Sequence, residues 1–291
     1  MTQQRRQTIL GYVLIAPSML LFALVYVYPV LYSAYVSVFS WDLMTPKRYV
    51  GLDNYRELWS AEFWEVIVNT AKYSAGVVGL AMALGLVLAL LLNNRSRLAA
   101  LLQGCIFTSY IVSWVAVSLL WIWMLDPQYG LVTFVLRSVG LSAVNWLGNP
   151  SVALWTLVLV TVWKTVGYPM VIYVAGLQSI PGDFLEAAAL DGATGWQRFR
   201  FITWPLLTPT TLFLLVTLTI ASFQGFDIVK IMTQGGPITA TMIYVYYIYE
   251  QAFQYFKLGK ASAAVVIFFT LILLLTLAQW ALFRRRVHYT V

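Results

Sequence analysis

The sequence predicts an all-α membrane protein with six transmembrane helices, and three observations predict it. Hydrophobic residues fill 61% of the 291 positions and charged residues only 10%, against about 25% charged in soluble domains. Mean hydropathy is +0.79. The apolar residues fall in blocks of about 20, the length that crosses roughly 30 Å of hydrocarbon. This leaves room for a single membrane domain over residues 1–291 and none for a large soluble module.

The first span is expected at 10–31, after Arg5 and Arg6, with Tyr26 and Tyr28 at its far end as interfacial rings. A polar, aromatic-rich segment, 33–65, carries Trp41, Trp59 and Trp64 and should lie at headgroup level with short helices. The second span is expected at 66–92, with Asn69 and Lys72 interfacial near its start. The third, 101–125, ends at Asp126-Pro127-Gln128-Tyr129-Gly130, and an amphipathic linker runs on to Pro150. The fourth, fifth and sixth spans are expected at 152–177, 206–226 and 261–283.

Between spans four and five, residues 179–205 are too polar and too broken by glycine to cross a bilayer. Pro181 can open a helix, where its missing N–H costs nothing, and Asp183 places negative charge near that helix's N-terminus. Phe184, Leu185 and Ala188 fall on one stripe at helical spacing. Gly192 can end the helix in a left-handed cap. Thr194 and Gln197 make a capping box for a second short helix, and Pro205 fits the first turn of the next span. The expectation is helix, sharp turn, helix, outside the membrane.

Within this stretch, Glu186-Ala187-Ala188, then Asp191-Gly192-Ala193, then Ile202 and Pro205, resemble the EAA loop of ABC-importer permeases; Trp204 stands where leucine is usual. Phe226-Asp227 with Met232-Thr233-Gln234-Gly235-Gly236-Pro237 resembles a stretch of the carbohydrate-uptake branch, with Met232 and Gln234 replacing leucine and the first of three glycines. Tyr28-Pro29, Ser37 and Gly51-Leu52-Asp53-Asn54-Tyr55 resemble its MalF/UgpA-like side. The resemblance covers nearly the whole chain.

It implies a heterodimer with a second permease, two cytoplasmic ATPase subunits that bind ATP and Mg, and an extracytoplasmic solute-binding protein. It implies a coupling role for Glu186, Ala187, Ala188, Asp191, Gly192, Ala193 and Arg198. The loop would be a lever moved by the ATPase pair and passed on as two-state rocking of packed spans.

Charge supports the orientation. With both termini on one side, that side gathers nine arginines (Arg5, Arg6, Arg95, Arg97, Arg198, Arg200, Arg284, Arg285, Arg286) against Asp183, Glu186 and Asp191, a balance of +6. By the positive-inside rule the termini and the EAA-like loop are cytoplasmic.

Lys164 is mid-span with Tyr168 and Pro169 nearby. It either lines the solute path or snorkels to an interface or a partner's carboxylate. Phe223, Gln224, Phe226 and Asp227 close the fifth span. Aromatic faces beside amide and carboxylate groups suit a sugar, and they equally suit an ordinary helix end in an aromatic belt. The substrate expectation is a sugar, or alternatively glycerol-3-phosphate or another polyol phosphate.

No Walker A stretch is present. One histidine, His288, and one cysteine, Cys105, rule out Cys/His catalysis and zinc sites by spacing; Cys105 reads as a small buried residue. The chain is therefore not expected to be an enzyme. A secondary transporter would need more mid-span acids, or an inverted repeat, than the sequence offers.

Overall fold

The computed structural model describes residues 3–94 and 96–284. Arg95, Arg285, Arg286 and His288 lie outside the described residues. The chain forms α1 (Gln3–Phe22), a π turn (Ala23–Val27), α2 (Tyr28–Val36), β1 (Phe39–Ser40), β2 (Arg48–Tyr49), α3 (Asp53–Leu58), α4 (Ala61–Leu92), α5 (Arg97–Ile111), α6 (Trp114–Met124) and α7 (Leu131–Ser138). Then come α8 (Pro150–Thr165), α9 (Gly167–Gln178), α10 (Gly182–Leu190), α11 (Gly195–Arg198), a π turn (Phe199–Thr203) and α12 (Trp204–Leu206). The series closes with α13 (Thr208–Phe223), α14 (Phe226–Met232), α15 (Tyr244–Tyr249), a π turn (Glu250–Gln254) and α16 (Leu258–Arg284).

Among the described residues, four stretches are long and apolar enough to cross a membrane: Leu10–Val36, Ala61–Leu92, Thr208–Met232 and Leu258–Leu282. Two bent helix pairs, α5 with α6 and α8 with α9, bring the number to six if each pair is one span. The expected continuous third span is thus corrected to two helices meeting at 98°, and the fourth to two meeting at 47°. The first span runs on to Val36, and α4 starts at Ala61, so Glu62 lies in its first turn, where negative charge is favourable.

Two of the three π turns, Ala23–Val27 and Phe199–Thr203, share a cause. Pro29 has no N–H for the carbonyl four residues back, and the helix widens just before it, with Tyr28 N–H bonding Ala23 O. Pro205 does the same after Trp204 N–H bonds Phe199 O. The fifth span therefore starts at Thr208, with Pro209 in its first turn, and not at Pro205.

Two compact units result. One holds residues 1–60 and 248–271. Its centre is the Gly51-Leu52-Asp53-Asn54-Tyr55 stretch. Gly51 has φ +59°, and this turn aims Asn54 Nδ2 at the carbonyls of Ser37 (2.7 Å) and Phe39 (2.9 Å). Tyr55 donates to Ser37 Oγ at 2.8 Å. The β1–β2 hairpin pairs Phe39 with Tyr49. Leu258 N–H bonds Trp41 O, and Gly259 packs directly on Phe39 O and Asn54, where no Cβ fits.

The other unit holds the described residues of 61–247 and of the segment from 272 on, and α4 is its spine. Gly76 lets α4 meet Trp155 and Val158, and Gly85 lets it meet Pro169. Buried hydroxyl pairs fix the neighbours: Tyr73 OH with Thr161 Oγ1 at 2.8 Å, and Ser74 Oγ with Ser222 Oγ at 2.6 Å. In a medium without water such pairs replace solvation that the groups have lost. The segment after α14 is tied to the start of α4. Thr239 Oγ1 donates to Glu65 at 2.7 Å, Asn69 donates to Thr239 O at 2.9 Å, and Tyr244 N–H donates to Thr70 Oγ1 at 2.9 Å. Asn69, expected only as interfacial, is thus a loop anchor, whereas Lys72 is exposed. Cys105 is exposed on α5, not buried.

Candidate functional site: an exposed loop and a membrane cavity

The stretch 179–205 folds as its caps dictate. Pro181 stands at the N-cap of α10, one place earlier than a first-turn position, and Asp183 is in the first turn. Gly192 has φ +77°. Its N–H bonds Ala189 O at 3.1 Å, and Ala193 N–H bonds Ala188 O at 2.9 Å. These two bonds are a Schellman cap. Thr194 Oγ1 accepts from Gln197 N–H, and Gln197 Oε1 accepts from Thr194 N–H at 2.7 Å, so the capping box is complete. The turn between α10 and α11 is closed from both sides.

No residue of α10 is buried. Glu186, Ala187, Asp191 and Gly192 are exposed; Ala188, Ala193 and Arg198 are half-buried. Leu190 is 90% exposed, Phe201 74% and Trp196 70%. Bare apolar surface of this extent marks a contact with another protein or with the membrane.

The second feature is a cavity of about 410 Å³ among α4, α5, α6, α8, α9, α13 and α14. It is walled by Tyr73, Tyr110, Trp114 and Tyr168, with Thr161, Thr165, Thr217 and Ser222 between them, and Gln224 and Asp227 at one side. Tyr110 and Tyr168 stack at 5.3 Å. Gln224 and Asp227 are exposed, and neither side chain has a hydrogen-bond partner among the described residues. Apolar walls with a few free polar groups are the make-up of a small-molecule site.

Of the expected path residues, Tyr168, Gln224 and Asp227 line this cavity. Phe223 is buried and is not part of its lining. Lys164 lines an adjoining cleft that shares Tyr110, Trp114 and Asp227 with the cavity. It is 2% exposed. Its Nζ donates to Tyr110 O at 2.9 Å and to Ser109 O at 3.4 Å, and it lies over the Trp114 ring at 4.6 Å. Ser109 Oγ returns a bond to Lys164 O at 3.2 Å. Lys164 therefore closes the last carbonyls of α5 at the 98° bend; it neither snorkels nor pairs with a described carboxylate. The sequence reading missed Tyr73, Tyr110 and Trp114. The hydroxyls at Thr161 and Thr165, four apart on an apolar helix, were the readable sign of that wall.

A broken-span bundle with an exposed helix–turn–helix and an aromatic-walled cavity bearing a few polar groups fits a membrane transport subunit. Residues 81–288 match the family described as binding-protein-dependent transport system inner membrane component, and the chain belongs to that family of ABC-importer permease subunits, which are not enzymes. The chain is 36% identical, over 94% of its length and 92% of the relative's, to the trehalose/maltose transport system permease protein MalF of Thermococcus litoralis. It is 34% identical, over 96% of both chains, to the sn-glycerol-3-phosphate transport system permease protein UgpA of Yersinia pestis. The crystal structure of a bacterial alginate ABC transporter, in complex with an alginate pentasaccharide-bound periplasmic protein, superposes with a TM-score of 0.87 at 25% identity, covering 99% of each chain.

Proposed function

We propose that this chain is the permease half of an importer that carries a sugar across the cytoplasmic membrane by alternating access, driven by ATP hydrolysis in partner subunits. The single observation that carries the reading is the doubly capped, unburied helix–turn–helix at 179–205. Glu186 is the polar anchor for an ATPase groove. Ala187 and Ala188 allow close approach, Gly192 sets the angle between the short helices, and Asp191, Ala193 and Arg198 frame it. Each bent pair is one span, which gives six spans in one membrane domain over 1–291, with both termini and the loop cytoplasmic. The first span supports a second permease as partner, since no residue of its most apolar window is buried within this chain. A solute-binding protein completes the assembly, and ATP and Mg belong to the ATPase pair. The cavity favours a sugar over a polyol phosphate such as glycerol-3-phosphate, because aromatic walls outnumber charges.

The test is a pull-down of the tagged chain from detergent-solubilised membranes, followed by ATP-dependent uptake in reconstituted vesicles. An ATPase and a second permease in the eluate are expected. A chain that comes alone and moves solute without ATP refutes the reading.

A further inference from the structure

Resting on that reading of the cavity, we infer that the solute taken by this chain is an uncharged sugar, and that phosphate esters and uronates are excluded by the charges that face the path. Among the described residues, Lys164 and Asp227 are the only charged side chains lining the cavity and its adjoining cleft. They are not equivalent. The Lys164 ammonium is already spent: two carbonyls of α5 accept from it, and the rings of Trp114 and Tyr110 lie beneath it at 4.6 and 5.7 Å. Carbonyl dipoles and ring faces balance its charge where it sits, and moving it to an anion would reopen the end of α5. Asp227 is the reverse case. It borders both spaces, it is exposed, and no described residue donates to it.

An anionic solute entering here meets a bare carboxylate and, among the described lining residues, no available cation, and like charges brought together in a partly dry site repel strongly. A sugar meets what it needs. Asp227 accepts from hydroxyls, Gln224 donates and accepts, and Tyr110, Tyr168 and Trp114 offer ring faces to C–H patches.

The test uses the intact complex in detergent, with and without Asp227→Asn, and reads thermal stabilisation by millimolar maltose, glucose, glycerol-3-phosphate and glucuronate. Glucose and glucuronate share ring stereochemistry and differ in the charge at C6. Stabilisation by glucose or maltose, and none by the two anions, is expected. Asp227→Asn should weaken the neutral sugars roughly tenfold, the size of one charge-assisted hydrogen bond, and should narrow the glucose–glucuronate gap. Gln224→Ala should weaken the sugars without narrowing that gap, which separates a charge effect from a general loss of shape. Saturable stabilisation by either anion, no response to either neutral sugar, or indifference to Asp227→Asn would overturn the inference. A complex that contains the ATPase and couples ATP to anion uptake would leave the importer reading standing while this inference falls; a chain that binds no ATPase would sink both.

Discussion

Replacing Gly192 by proline is expected to abolish ATP-driven uptake while the membrane bundle stays assembled. Gly192 holds φ +77° between two caps, and a Cβ placed there would meet nothing within 4 Å. Alanine therefore costs only backbone strain, roughly 1–2 kcal/mol for the left-handed region, a factor of about 5–30 in occupancy of the turn. Proline cannot reach this conformation, since its ring holds φ near roughly −65°. It also removes the N–H that bonds Ala189 O at 3.1 Å, about 1 kcal/mol more. The angle between α10 and α11 must then change. Since no residue of α10 is buried, the cost stays local and the unfolding midpoint of the bundle should hardly move.

The assay is uptake in reconstituted vesicles for glycine, asparagine, alanine and proline at position 192, beside the amount of ATPase that co-purifies. Asparagine tolerates the left-handed region better than alanine does, so uptake should fall in the order glycine, asparagine, alanine, proline. Normal uptake by Gly192→Pro would refute the lever argument. So would a loss of uptake that merely tracked a loss of folded protein.

Three further outcomes follow from the structure. Gln234→Gly should raise stability by about 0.5–1 kcal/mol, because Gln234 is exposed at φ +51° and its N–H bond to Val229 O survives the change; an unchanged or lower thermal midpoint in detergent would count against it. Gly259→Ala should destabilise by about 2–4 kcal/mol, since the new Cβ collides with Phe39 O and crowds the Asn54 amide; membrane yield and thermal midpoint measure this, and wild-type values would contradict it. The Asp126 carboxyl is held below its ordinary value of 3.8 by the backbone N–H groups of Tyr129 and Gln128. A depressed folded value means that its support for the turn after α6 is full above the ordinary value and disappears as pH falls through the lowered one, so a carboxyl NMR titration should show a midpoint under 3.8.

What could be read from the sequence followed from local chemistry. Gly192, Thr194 and Gln197 specify a turn whose hydrogen bonds run within a few residues, so spacing alone gave the loop. The blocks of apolar residues gave the spans for the same reason. The 47° bend lies beside Pro169, which has no N–H for the Thr165 carbonyl, but the 98° bend did not announce itself, because its cause is remote. The α5–α6 break lies at Val112 and Ser113, and neither residue breaks helices. What holds it open is Lys164, more than fifty positions later, bonding the carbonyls of Ser109 and Tyr110. Beside it, Gly167 lets α9 approach the backbone of Ile106 and Phe107.

The same separation explains the cavity. Tyr73, Tyr110 and Trp114 look like ordinary span residues in sequence and line one cavity once the chain turns by 98° between α5 and α6. Lys164 could not be assigned a role from its own neighbourhood, because an intramembrane lysine reads alike whether it faces solute or seals a helix end. The distances decide for the seal. With the cation committed to architecture, the proposed discrimination by charge rests on the bare carboxylate of Asp227.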